Sequence, residues 1–261
     1  MLSVIIPSYK DPYLHKTVES LLLNSYLGED LEIVIVLDGY WPDEVVRQDD
    51  RVRVVHLGKN RGMREAINAG VRVARGDMLM RVDEHCMFPP GYDKELTTSC
   101  KQNWIMTAVR YFLDPEKWEV MDEDPVVYEK LKVRDLGNGK KKWEGRVWRS
   151  REEKRAHKDI DETMAMQGSM WVMHKKWWDD VIKKLDTRYG DMYQDSHEMI
   201  FKTWKAGGKM MVNKNTWFAH KHVSFPRTHN HPRREYITGM QNCYEDWKDF
   251  YEKEVKPKWD V

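Results

Sequence analysis

The chain has 261 residues, and its 44 Lys/Arg nearly cancel its 43 Asp/Glu to leave +1, so no global basic field marks it as a nucleic-acid binder, although balance leaves room for a local patch. That length suits one large α/β domain with a substantial core, and no stretch approaches the roughly 18 apolar residues of a bilayer span. Three cysteines without Cys-x-x-Cys spacing (Cys86, Cys100, Cys243) and a start without a basic n-region predict reduced thiols in a soluble, cytoplasmic protein.

Leu2 to Ile6 is a short β-branched run of the kind that forms a buried strand, and Ser8 to Asp11 follows as a polar turn. Leu14, Val18, Leu21 and Leu22 then share one helical face. Leu31 to Leu37 is a second buried strand ending at Asp38-Gly39, and Val52 to Leu57 is a third. Gly62 to Arg75 has helical spacing, with Gly76 as its expected stop. Met78 to Val82 is the fourth strand, and Asp83-Glu84-His85 follows it before Pro89-Pro90-Gly91. Alternating β and α units predict a mostly parallel sheet covered on both faces. Ligands of such sheets bind beyond the carboxyl ends of the strands. Ser8-Tyr9, Asp38-Gly39 and Asp83-Glu84-His85 all fall there.

Asp83 and His85 are two residues apart, so in extended backbone their side chains point to the same side and can converge on one ion. Glu84 is the spacer and points away. Each of these signals also has an ordinary reading. Asp38-Gly39 suits a turn, Asn60 suits a helix cap, and Arg64 suits a solvated charge on a first helical turn.

Residues 4–22, 32–39 and 60–85 together resemble the nucleotide-binding half of GT-A glycosyltransferases, particularly family 2. The Asp-Glu-His-Cys form at 83–86 is similar to the Asp-x-His-Cys of polypeptide N-acetylgalactosaminyltransferases. The resemblance resumes at Gln167-Gly168-Ser169 and runs to about His222. It implies an α/β GT-A fold and transfer of a sugar, most readily from a UDP-sugar, to an acceptor hydroxyl. Pro7, Ser8, Tyr9 and Asp38 would hold the base, and Arg64 would contact the base or diphosphate. Asp83, His85 and His220 would bind the metal, with His222 as the nearby competitor. Residues 193–208 resemble the family segment in which two glutamates align with Asp195 and Glu198, the candidate catalytic carboxylates. The ordinary reading of that pair is a helix cap at Asp195 completed by Glu198. A carboxylate with imidazoles is a mixed donor set that favours Mn²⁺, with Mg²⁺ second because its sites are mainly oxygen. The Asp-x-His form tilts the expectation towards retention of configuration.

Residues 113–160 are charge-rich, with Lys140-Lys141-Lys142 and Arg149-Ser150-Arg151 interleaved with Trp118, Trp143 and Trp148. They read either as a solvated insertion or as an acceptor-side arm whose indoles stack and whose cations meet anionic acceptors. Phe225 to Arg234 suits a lid bringing His229, Arg233 or Arg234 to the phosphates. Tyr236 to Tyr251 suits a helix packing Met240, Tyr244, Trp247 and Tyr251 into the core. The expected organisation is one domain: residues 1–112 bind the nucleotide, 113–160 form the insertion, and 161–261 complete the metal and acceptor half. A glycan, a protein or a modified DNA base all qualify as acceptor. A nucleotidyltransferase is the competing class, but a Gly-rich triphosphate loop is missing between Pro7 and Lys16. A non-catalytic sugar-nucleotide or nucleic-acid binder is the other.

Overall fold

The computed structural model describes residues 1–43, 46–222 and 233–259, with 233–235 described by backbone only. The first half runs β1 (Leu2–Ser8), α1 (Leu14–Asn24), β2 (Leu31–Asp38), β3 (Val52–Leu57), α2 (Met63–Val73), β4 (Met78–Val82), β5 (Cys86–Met87), α3 (Tyr92–Ser99), β6 (Trp104–Asp114) and β7 (Glu119–Val120). The second half runs β8 (Glu129–Gly137), β9 (Lys140–Val147), α4 (Arg149–Lys154), β10 (Ile160–Glu162), β11 (Met170–His174), α5 (Lys175–Trp177), α6 (Asp195–Lys205), β12 (Lys209–His220) and α7 (Arg233–Phe250). The central sheet has the order β10-β12-β6-β11-β4-β1-β2-β3, with β5 on β12 and β7 on β6. Along that path only β11 and β10 oppose the common strand direction. The mostly parallel α/β sheet read from the sequence is therefore present.

Alternation along the strands divides the core into two layers. Leu2, Val4 and Ile6 of β1, Met80 and Val82 of β4 and Met170 and Val172 of β11 face α1 and α3. Ile5, Leu79, Trp171 and Met173 face the opposite layer, which includes α6 and α7. Both faces of the inner strands are covered, so these segments read as continuous apolar runs. Complete burial of side chains such as Ile5, Ile35 and Met80 contributes roughly 1.5–3 kcal/mol each.

Two local expectations change. The helix after Gly62 ends at Val73 in extended backbone at Ala74, and Gly76 is not a left-handed stop. Gly76 is needed for close approach instead: a Cβ there would lie 2.6 Å from the Met1 carbonyl oxygen, and its N–H donates to Ser3 Oγ at 2.8 Å. The 113–160 region is also more than a solvated arm. β10 joins the central sheet, and the β8–β9 hairpin buries Trp143 against Phe201, Tyr244 and Tyr251. Residues 233–250 are helical, and Met240 and Tyr251 are buried as their spacing predicts. Among the described residues no helix is long and apolar enough to cross a membrane.

Candidate active site

A cavity of about 520 Å³ opens at the carboxyl ends of β1, β2 and β4, a size typical of small-ligand sites. Pro7, Ser8 and Tyr9 line it from β1, Asp38 from β2 and Asp83, Glu84 and His85 after β4. The far wall comes from Gln167–Ser169, the start of α6 and the end of β12.

His220 reaches this wall through irregular pairing. The register of β12 on β6 slips between Asn213 and Trp217, and the end of the strand then pairs with β5, placing His220 opposite Cys86. Bulges re-aim side chains in this way. On the other side, Thr17 of α1 clamps the triplet: its hydroxyl donates to the Glu84 carbonyl at 2.7 Å and accepts from the Cys86 N–H at 2.9 Å. His220 Nε2 consequently lies 3.1 Å from both His85 Nε2 and Asp83 Oδ2, with His85 Nε2 and Asp83 Oδ2 4.0 Å apart. Donor atoms about 2.1 Å from one ion are separated by about 3–4 Å, so these three fit a shared divalent cation. Burial pushes the His220 ring down to about 3, which favours its neutral, ligating form. Burial alone would raise the Asp83 carboxyl, but Arg81 and the two imidazoles hold it well below the usual range.

His85 Nδ1 lies 2.8 Å from Asp11 Oδ2. With its proton on that side, Nε2 presents a lone pair to the cluster, the arrangement by which carboxylates orient ligating histidines. Glu84 is not a spacer turned away from the site: its carboxylate accepts from the Tyr9 N–H at 2.5 Å and lies within 4.8 Å of donor atoms of Asp11 and His85 on the cavity wall. His222, which lines the same cavity, is not among the three converging donors; its Nε2 accepts from the Arg110 guanidinium.

At the base end, Asp38 accepts from Asn60 Nδ2 at 2.8 Å, Arg61 N at 2.7 Å and Gly62 N at 2.8 Å. It fixes the turn that starts α2 while still lining the cavity, and a carboxylate has about four acceptor positions. Asn60 is not the helix cap; Gly62 occupies that position.

Two site expectations are overturned. Arg64 is neither solvated nor on the cavity wall: it is fully buried, 2.5 Å from Glu198, and bonded to the Tyr193 and Asp186 carbonyls. Glu198 is likewise fully buried, its carboxylate also accepts from Asp186 N and Lys202 Nζ, and it does not line the cavity. The pair joins α2 to α6. The capping reading fails as well, since Gln194 is the N-cap and Asp195 begins the helix.

Asp195, in contrast, faces the cavity. Its Oδ2 is buried without a hydrogen-bond partner among the described residues and sits where a Cβ on Gly168 would lie, 2.6 Å away. A side chain at Gly168 would push the Asp195 carboxylate out of this position over the turn. Arg81 connects the turn to the metal-type cluster, donating to the Gly168 carbonyl and, at 2.6 Å, to Asp83 Oδ1. His197 also lines the cavity, both ring nitrogens buried and without a partner among the described residues, and burial pushes its ring down to about 4. Asp11, Arg81 and His197 were not singled out from sequence. Only the Asp11 position after Ser8-Tyr9 carried a usable signal, as a second carboxylate at a strand end. The side chain of Arg233 and residues 225–232 lie outside the described residues.

The model for Glycosyl transferase family 2 matches residues 3–182. The chain belongs to glycosyl transferase family 2. Its relatives include the uncharacterized glycosyltransferase EpsJ of Bacillus subtilis, 32% identical over 40% of this chain and 32% of EpsJ. Mouse polypeptide N-acetylgalactosaminyltransferase 12 is 23% identical over 96% of this chain and 44% of its own length. A solved structure of GalNAc-T7 with UDP, GalNAc and Mn²⁺ superposes on the whole chain with a TM-score of 0.77 at 16% identity, covering 51% of that protein. The chain thus spans about half or less of these relatives' length. It has the GT-A fold. The family 2 match takes in Ser8, Asp38, Asp83 and His85 and ends before Asp195, His197 and His220, which only the fold brings to the same cavity.

Proposed function

We propose that this family 2 chain transfers a sugar from a UDP-sugar to an acceptor hydroxyl, with Mn²⁺ held by Asp83, His85 and His220. The observation that carries the reading is the convergence of Asp83 Oδ2, His85 Nε2 and His220 Nε2 on the cavity wall. The UDP, GalNAc and Mn²⁺ in the GalNAc-T7 structure support the same donor and ion. When bound, the ion supplies neutralisation of the charge that builds on the leaving diphosphate. Pro7–Tyr9 and Asp38 hold the base end, and Asp195 Oδ2 takes a hydroxyl of the sugar or acceptor. The bond from the anomeric carbon to the β-phosphate oxygen breaks with its electron pair leaving on UDP. The acceptor oxygen forms the new bond, and its proton passes to the departing diphosphate. Retention follows from that route, and NMR of the product anomer reads it.

Calorimetry tests the donor end: UDP binds in the presence of Mn²⁺ and binds far more weakly with EDTA. No UDP binding under either condition sinks the proposal. Asp11→Ala releases the His85 ring without removing a ligand, so Mn²⁺ affinity is expected to fall about 10–100-fold. Unchanged affinity in a folded Asp11→Ala protein would remove Asp11 from this role.

A further inference from the structure

The β8–β9 hairpin concentrates its cations on one side. Its register pairs Lys130 with Arg146, Lys132 with Glu144 and Arg134 with Lys142, and paired residues of an antiparallel ladder share a face. The alternate positions Leu131 and Trp143 point the other way and are buried in the core. The outward face therefore presents five cations and one acid. Glu144 takes Arg146 at 2.6 Å, Arg134 at 2.8 Å and Lys142 at 3.6 Å, and one carboxylate cannot neutralise five positive groups. Residues 129–147 hold seven Lys/Arg against three Asp/Glu, in a chain whose net charge is only +1.

This face continues into the cavity, because Lys142 and Glu144 line it. It is also held rigidly. The Gln194 side chain pairs with both the N–H and the carbonyl of Trp143, at 3.1 and 3.0 Å, and Gln241 accepts from Lys141 N at 2.5 Å. Placing cations in advance lowers the ordering cost of binding. Tyr193 stands at the cavity beside this platform, 50% exposed, with a backbone φ of 68° and its ring edge-on to Tyr236. Further in lie the nitrogens of His197 and Oδ2 of Asp195, which have no partner among the described residues. Buried polar atoms without protein partners are rare and call for a ligand or water.

The geometry points to an acceptor carried on a single-stranded or unpaired stretch of nucleic acid, its phosphates along the outward face of the hairpin and its acceptor nucleotide entering past Tyr193. Same-face cations on one strand recur about every 6.6 Å, a spacing suited to successive phosphates of an extended backbone. Cations beside an exposed aromatic form the surface that binds single strands without reading sequence. The His197 ring and Asp195 then meet the polar edge of the entering nucleotide, and a hydroxyl on it takes the sugar by the bond exchange given above. This deepens the sugar-transfer reading of the same cavity and rests on it.

The test uses the full chain and a fluorescein-labelled mixed-sequence 20-nucleotide DNA strand, followed by anisotropy through a salt titration. The wild type is expected to bind, with the logarithm of affinity falling linearly against that of salt, by about 0.7 per phosphate contacted. Lys132→Glu/Arg134→Glu/Arg146→Glu should bind at least tenfold more weakly with a shallower slope, while UDP–Mn²⁺ affinity stays within twofold. Lys130→Gln/Lys132→Gln gives the same reading in smaller measure if the reversal variant does not fold. Tyr193→Ala should weaken the strand at least fivefold and leave the salt slope unchanged. No wild-type binding at low salt, equal binding by the hairpin variants, or binding matched by polyglutamate overturns the inference. Failure of the wild type to bind UDP, with the strand still bound, instead strikes the sugar-transfer reading and the acceptor role with it, and leaves the hairpin face as a nucleic-acid-binding surface.

Discussion

Asp83→Asn is expected to lower sugar transfer on the order of 10³-fold or more while leaving the fold intact. The two carboxylate oxygens of Asp83 do different work. Oδ1 accepts from Arg81 at 2.6 Å, and Oδ2 sits 3.1 Å from His220 Nε2 in the donor cluster. Asparagine keeps an oxygen for Arg81 but turns an N–H₂ group towards the place where the ion is proposed, and removes a negative charge there. Interactions aimed at charge developing on a leaving group are worth about 10²–10³-fold each, and loss of a metal ligand removes more than one of them. Asp83→Ala should be as inactive but less stable, because Arg81 is buried and, among the described residues, keeps the Gly168 carbonyl and Met63 sulfur as its partners. The measurements are UDP-sugar turnover with Mn²⁺, Mn²⁺ calorimetry and thermal melting. Wild-type turnover by folded Asp83→Asn would place the metal, or the chemistry, elsewhere.

How far the chain discloses itself depends on the range of each signal. The order of β1 to β4 was legible because each strand is buried on both faces and spells a continuous apolar run. The ends of those strands were legible for the same reason, since a polar pair after such a run has nowhere to point but the edge of the sheet. Asp83 and His85 follow from that local rule. His220 does not: its place depends on a slip of β12 against β6, and only the motif order suggested it. Arg64 shows the limit more sharply. A first-turn arginine is usually solvated, and nothing near it in sequence announces a partner 134 positions away. His197 had no signal at all, because a single histidine inside a helix carries no period. Trp143 is hidden from the sequence for a related reason. It sits in a charged run, yet strand alternation sends it into the core and leaves Lys142 and Glu144 facing the cavity.

The Arg64–Glu198 pair gives the test that separates a structural carboxylate from a catalytic one. Both side chains are fully buried, and Lys202 reaches the same carboxylate at 2.6 Å. Removing one partner strands the other charge in a medium that solvates it poorly, which costs about 3–5 kcal/mol. Glu198→Ala is therefore expected to lower stability by about that amount, read as a fall in the urea midpoint with the slope unchanged. Arg64→Met/Glu198→Leu should recover much of the loss, because apolar groups of similar size replace a buried pair at little cost. If Glu198 served only to hold α2 on α6, the double variant would also recover UDP binding and turnover together with its stability. A double variant that is stable, binds UDP and still fails to transfer would instead return Glu198 to the catalytic machinery, and with it the orientation of α6 around Asp195 would need another explanation.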